Sequence, residues 1–405
     1  MMLSPYDEYP VHQTPYPVSY IPSTDYNWDE GYYFAAFNPD EKVFLATGFR
    51  INPNSDMIGG YALLSVDGKQ HTVRFNRCWR RDFDLKIGPF RMEVIEPMRR
   101  IRLVLDENES GQRFDILWEG TAPAFLEDHH IAVNRNRRTT DQSRYSQPGK
   151  CSGFIALRGQ RWQVDPANWT GARDHSWGLY AERPPLGPDR KWLPPAQKNE
   201  GPARALRIWS CFRAGEYSGF FHMHEDGDGR QQKMNDVFGT PFGGHLFKGW
   251  SDEAVELTAG RHALEFHPGT RLLKSGKIFL TDKDGKEWRQ EFDAPAPPWL
   301  VMTMGYHTGS WKDGGNFFTY HGSEELALEW DEFDFSKQPV RYRPYSGSGS
   351  DGADNFGIHK SYDEPIYGVE YMTRVTTYTP DGRALRGAAQ FELFINPPFR
   401  PWGFD

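Results

Sequence analysis

Cysteine is scarce: Cys78, Cys151 and Cys211 are the only three in 405 residues, odd in number and far apart. That excludes a disulfide framework and a CxxC metal knuckle, and it is the usage of an intracellular, reduced protein. Long apolar runs are also missing, and no window approaches the ~18 residues that a membrane helix needs. Residues 1–30 hold no apolar core of a secretory leader. The expectation is a soluble, cytoplasmic protein with no integral membrane segment. Positive charge is in deficit, with 47 Lys and Arg against 55 Asp and Glu and a net charge of −8, which argues against a partner bound through its phosphates, so no nucleic acid is expected. Several motifs are absent as well. There is no GxxxxGK[ST], no HExxH, no GxSxG and no Asp-Asp-x-x-Asp, so nucleotide-driven, serine-hydrolase and metal-ionised diphosphate chemistry lack support. Gly347, Gly349 and Gly352 match GxGxxG, but in a Ser/Gly loop with no strand before it and no helix after it.

Aromatic residues are abundant, with 28 Phe, 19 Tyr and 14 Trp making up 15% of the chain. They favour strands and can line a cavity. The 40 glycines and 30 prolines interrupt helices and suit short strands joined by tight turns. The length exceeds one usual hydrophobic core, which points to two domains. Prolines at 5, 10, 15, 17 and 22 predict an extended N-terminal segment wrapping over a surface. Hairpins are predicted around Asp67-Gly68, Asn108–Gly111, Arg158-Gly159, Ala214-Gly215, Asp282–Gly285, Asp313-Gly314 and Pro380–Gly382. Residues 134–150 read as a basic loop, either solvated or gripping an anion, and Ser323–Glu332 has a faint helical pattern. Six prolines between Arg183 and Arg204 mark a connection, 183–204, between an N-terminal domain (1–190) and a C-terminal one (205–405).

The densest chemistry lies in Gly171-Ala172-Arg173-Asp174-His175-Ser176-Trp177-Gly178. On a strand, Arg173, His175 and Trp177 share one face, and Asp174 and Ser176 share the other. A plainer reading is an Arg173–Asp174 salt bridge beside a core tryptophan. His222 and His224 lie two apart on a predicted strand and face one way. They suit acid/base work, or simply a half-exposed strand end, and they lack a third metal ligand at recognisable spacing. Tyr306 and His307 are expected across a hairpin from His321 and Tyr320. Glu370 interrupts an apolar-aromatic strand, Tyr367–Tyr378. If buried, it either pairs with Arg374 on its own face or has a raised pKa, which makes a general acid.

At Arg173-Asp174-His175-Ser176-Trp177-Gly178, with an all-β half on each side, the chain resembles the bacterial carotenoid 1,2-hydratase (hydroxyneurosporene synthase) superfamily with tandem lipocalin-like domains. In that superfamily a His-x-Trp pair and a Tyr-x-Asp pair on a neighbouring strand protonate an isolated alkene and handle the cation. His175 and Trp177 match the first pair. Where the second should fall, the chain reads Phe220-Phe221-His222-Met223-His224. The resemblance implies an all-β fold of two lipocalin-like antiparallel barrel or sandwich domains packed together. It further implies a cofactor-independent enzyme, a hydratase (lyase) or an isomerase/cyclase, acting by proton transfer on a hydrophobic isoprenoid, steroid-like or polycyclic small molecule. The catalytic candidates are Asp174, His175, Trp177, His222, His224 and Glu370, with no cofactor and no metal. The rival readings are a non-catalytic lipocalin-like carrier of a lipid or terpenoid, and a sugar-binding or sugar-cleaving β protein.

Overall fold

The computed structural model describes residues 3–10, 12, 14–134, 136–180, 202, 204–234, 240–251, 253–300, 304–305, 310–334, 369–395 and 398–404. In chain order its strands are β1 (Trp28–Asn38), β2 (Val43–Asn52), β3 (Met57–Val66), β4 (Lys69–Cys78), β5 (Lys86–Ile87), β6 (Phe90–Glu96), β7 (Arg100–Leu105), β8 (Gln112–Gly120), β9 (Phe125–Asn134), β10 (Arg137–Leu157), β11 (Gln160–Val164) and β12 (Thr170–Tyr180). There follow β13 (Arg204–Ala214), β14 (Tyr217–Asp226), β15 (Phe242–Lys248), β16 (Ala254–Phe266), β17 (Leu273–Asp282), β18 (Glu287–Asp293), β19 (Trp299–Leu300), β20 (Ala327–Asp334), β21 (Val369–Tyr378) and β22 (Ala384–Ile395). The fold is all-β, as expected, and among the described residues no helix is long and apolar enough to cross a membrane.

The turn chemistry builds these strands. Asp67 and Gly68 both take positive φ, 52° and 72°, and join β3 to β4 with Val66 opposite Lys69. That is the mirror-image turn whose twist matches a hairpin. Arg158 and Gly159 do the same between β10 and β11, at 47° and 92°. β13–β14, β17–β18 and β21–β22 are the hairpins expected at Gly215, Gly285 and Gly382.

The strands form two sheets. The first runs β20-β4-β3-β2-β1-β12-β10-β8-β7-β6-β5, with β9 and β11 also on β10, and curls into a half-barrel. The second runs β18-β17-β16-β15-β14-β13-β22-β21, and β21 pairs back to β18 to close an eight-stranded barrel. Closure leaves that barrel no free edge. Phe34, Phe49, Phe90 and Trp118 fill the concave face of the first sheet, and Ile208, Phe221, Leu280 and Phe391 fill the barrel. A third apolar layer lies between the sheets and includes Ala35, Phe44, Trp209, Phe220 and Trp299. At ~1.5–3 kcal/mol per large apolar side chain, it is a substantial interface.

Several expectations change. Residues 137–150 are no loop. They begin the 21-residue β10, which pairs with β12 and β9, because tertiary pairing satisfies a backbone whose polar sequence shows no strand signal. Residues 327–334 are a strand, not a helix, and they extend the first sheet at β4. There Arg74, fully buried, donates from Nε to Glu329 Oε1 at 2.9 Å and pairs with Asp331. Phe317–Gly322 forms turns instead of a strand, with His321 stacked on Trp311 at 3.9 Å. Tyr306, His307, the Ser346–Gly357 loop with its GxGxxG match, and all of the 183–204 connection except Pro202 and Arg204 lie outside the described residues.

Candidate active site

β12 lies between β1 and β10, which sets two rows of neighbours across it. Asp174 is flanked by Tyr33 and Ser146, and His175 by Tyr32 and Tyr145. The bracketing glycines are steric requirements. A Cβ at Gly171 would come 2.6 Å from Trp118 Nε1, and Gly178 has φ +122° with its would-be Cβ 2.2 Å from the Asp141 carbonyl. The pleat then sends alternate residues to opposite faces. Arg173 and Asp174 therefore do not form the plainer salt bridge, and Trp177 is no core residue, being 39% exposed.

On the concave face, His175 Nε2 lies 2.8 Å from Glu30 Oε1, and its Nδ1 lies 3.2 Å from the Tyr145 hydroxyl. Tyr32 stacks on the imidazole at 3.9 Å, and the Trp177 ring lies 5.2 Å away. Behind them Arg173 is buried, donates to Gln147 Oε1 at 2.9 Å, and stands 4.9 Å from the Trp118 ring and 5.1 Å from the Tyr145 ring. Desolvation pushes its pKa down, and the aromatic faces supply the negative potential that a carboxylate otherwise would. This is a half-open carboxylate–imidazole–phenol relay with an exposed indole beside it.

The other face looks onto the barrel. Glu370, buried on β21, accepts a hydrogen bond from the Tyr33 hydroxyl at 3.0 Å and another from Gln390 Nε2, which also donates to the Tyr33 oxygen at 2.8 Å. Burial first, and then the charges of Glu392 and Asp174, hold the Glu370 carboxyl well above the ordinary carboxylate range, against the pull of those two hydrogen bonds. The expected Arg374 partner is elsewhere. It bonds to Asp40 at 2.6 Å and Asp293 at 3.1 Å, because four residues along a twisted strand have carried it off the buried stretch. Asp174, only partly shielded from solvent, is also pushed up by desolvation, helped by Glu127 and opposed by Arg144. Tyr33 is raised by burial and by Glu370.

Glu127 enters this junction through a bulge in β9, where Leu126 and Asp128 pair with Tyr145 and Arg144 and the residue between is left over. Bulges re-aim side chains in this way. Its carboxylate accepts bonds from Trp209 Nε1 (3.1 Å) and the Ser146 hydroxyl, and its Oε2 lies 4.0 Å from His222 Nδ1. Burial would raise its pKa, but the His222 imidazole and the Arg144 and Arg207 charges outweigh that and hold it below the usual range. Desolvation, followed by His222 and Arg207, holds His224 well below the ordinary imidazole value, and desolvation and Arg144 push His130 down to about 4. Arg207 pairs with Glu392. Among the described residues no third His, Cys, Asp or Glu joins His222 and His224 in a metal-holding group.

The structure thus gathers Asp174, His222, His224 and Glu370 in the junction and leaves His175 and Trp177 on the far side of the first sheet. Sequence reasoning missed Tyr33, Glu127, Arg144, Gln390 and Glu392 in the junction, and Glu30, Tyr32 and Tyr145 on the concave face. The rule that singled out Glu370, a carboxylate inside an apolar-aromatic strand, also finds Glu392 between Phe391 and Leu393. Nothing local marks Arg144 or Tyr145, whose importance comes only from the strand pairing.

Among solved structures, the chain is similar to kievitone hydratase from Nectria haematococca, 9% identical over 97% of this chain and 96% of that one, with a TM-score of 0.41. It is also similar to CghA with Sch210972, 9% identical over 91% and 89% with a TM-score of 0.47, and to CghA alone, 9% identical over 95% and 96% with a TM-score of 0.42. No curated protein matches the chain. One family model matches residues 3–338, and on that span the chain belongs to DUF8625, a family of unknown function.

Proposed function

We propose that the junction between the two sheets is an acid/base active site that transfers a proton to a hydrophobic small molecule, in a hydration, cyclisation or isomerisation. The observation that carries this reading is Glu370. It is buried, its hydrogen-bond partners are the neutral Tyr33 and Gln390, and burial holds its carboxyl well above the ordinary carboxylate range, the direction that makes a general acid. A dry acid beside aromatic faces is what an unactivated double bond requires. Trp299 is the cross-strand partner of Glu370, and Trp209 is that of Glu392.

In this scheme the Glu370 proton adds to one alkene carbon, forming a C–H bond as the π bond opens, and the positive charge left on the neighbouring carbon faces the indoles. Water attack with proton loss to Asp174 gives hydration. Loss of a different C–H proton gives isomerisation, and attack by a second double bond gives a ring. Asp174 and Tyr33, both close enough to Glu370 to perturb it, return the proton. The resemblance at His175-x-Trp177 supports the reaction class. The geometry favours Glu370 over His175 as the acid, because His175 is bonded to Glu30 at the half-open face.

The test is incubation with isoprenoid and polycyclic probes in deuterated water, with deuterium in the recovered compound read by mass spectrometry. Wild type should place solvent deuterium on carbon. Glu370→Gln should lose this while still quenching tryptophan fluorescence on binding. Binding without deuterium uptake in wild type would identify the carrier instead.

A further inference from the structure

Two fully buried histidines lie side by side on one face of β14. His222 and His224 are 2% and 0% exposed, and they follow Phe220 and Phe221 on β14. Their rings pack edge to face, 5.3 Å apart, and Phe220 lies 5.9 Å from His222. None of their four ring nitrogens has a hydrogen-bond partner among the described residues. Glu127 Oε2 lies 4.0 Å from His222 Nδ1, beyond hydrogen-bond reach, and the other oxygen of that carboxylate serves Trp209 and Ser146. Gln390 Oε1 and Trp299 Nε1 are buried and unbonded in the same layer. Folded proteins keep few such groups, because desolvation goes unoffset, and those retained call for a reason. His224, held neutral, presents one donor and one acceptor.

We infer that His222 and His224 recognise an oxygen function of the ligand, a hydroxyl or carbonyl, so the junction takes an oxygenated ring compound and not a bare hydrocarbon. A hydroxyl can donate to one imidazole nitrogen and accept from the next ring, and a carbonyl can accept from either N–H. A site built around polar groups discriminates strongly against the analogue that lacks them. Gly243 faces His222 and leaves the ring its space, since a Cβ there would lie 3.0 Å from Nε2. The inference rests on the junction being the ligand site proposed above, but it assigns these histidines to recognition and not to proton transfer.

The probes are 2-naphthol and naphthalene, matched in shape and differing by one hydroxyl, with binding read by quenching of tryptophan fluorescence. Wild type should bind 2-naphthol at least tenfold more tightly. In His224→Phe and His222→Phe that ratio should fall below about three, while the melting temperature of the ligand-free protein rises, because an unsatisfied polar ring has been replaced by an apolar one. His224→Leu and His222→Leu serve where the larger ring disrupts folding. Equal affinity for the two probes, binding of neither, or a fall in melting temperature in both histidine positions would overturn the inference. Glu370→Gln separates the two claims. If it leaves turnover intact while the naphthol preference persists, the recognition role stands and the catalytic role of Glu370 fails; if it abolishes turnover without any such preference, the reverse holds.

Discussion

Asp174 and His175 are neighbours in sequence and belong to different chemical worlds. Facing the barrel, Asp174 stands near Glu370, Glu392 and Glu127, where burial and like charge push two carboxyls up and two arginines and an imidazole hold a third down. Facing the concave side, His175 has an ordinary exposed-rim arrangement, bonded to Glu30 and Tyr145 and capped by Tyr32. The same strands, β1, β10 and β12, supply both faces. Proximity in sequence thus groups residues that the pleat separates, and solvent access more than residue type decides which face can hold a carboxyl of raised pKa.

The largest effect is expected from Glu370→Gln. It should lower kcat by roughly 10²–10⁴-fold, the usual weight of a general acid, with ligand binding retained. His175→Ala should lower kcat less than about tenfold. If the two effects were exchanged, the chemistry would lie on the concave face. Next in size, Glu127→Ala strips a buried carboxylate from Trp209, Ser146 and the nearby arginines and should destabilise by about 3 kcal/mol in urea unfolding.

Acidity separates the groups further. Glu370 binds its proton more tightly folded than unfolded, so its contribution to stability is complete below about pH 4.3 and is lost as pH rises toward its folded value. His130 and His224 behave oppositely. Their folded values are depressed, so stability falls as pH drops below about 6.5, for His130 toward its folded value of about 4. Glu370→Gln removes the Glu370 part of this dependence and leaves the histidine part, so the urea midpoint of wild type relative to that of Glu370→Gln should fall as pH rises above about 4.3. The smallest effect is expected on the open face, where His175→Ala removes one partly exposed hydrogen bond to Glu30 and a ring stack and should cost about 1 kcal/mol.

Much of the fold was legible because turn chemistry is local. Asp67-Gly68 and Arg158-Gly159 tolerate the positive φ that their hairpins require, and the aromatic and β-branched runs between turns read as strands. β10 was not legible over residues 137–150, since its polar residues find their reason in β9 and β12, far away in the chain. Nor was β20, whose Glu329 and Asp331 have meaning only beside Arg74. Of the site, period-two alternation correctly divided Arg173, His175 and Trp177 from Asp174 and Ser176, while the apolar setting of Glu370 left two outcomes open, and the pairing with Arg374 is the one that the structure does not form.

The sequence by itself determined an all-β chain, the two faces of β12 and a short set of ionisable candidates, because alternation and turn geometry act over a few residues. Only the tertiary structure decided which candidates meet. Asp174, Glu370, His222 and His224 come together because the first sheet packs its convex face against the outside of a closed barrel. Burial, which turns a carboxylate into an acid, is a property of that packing and of no single stretch of the chain.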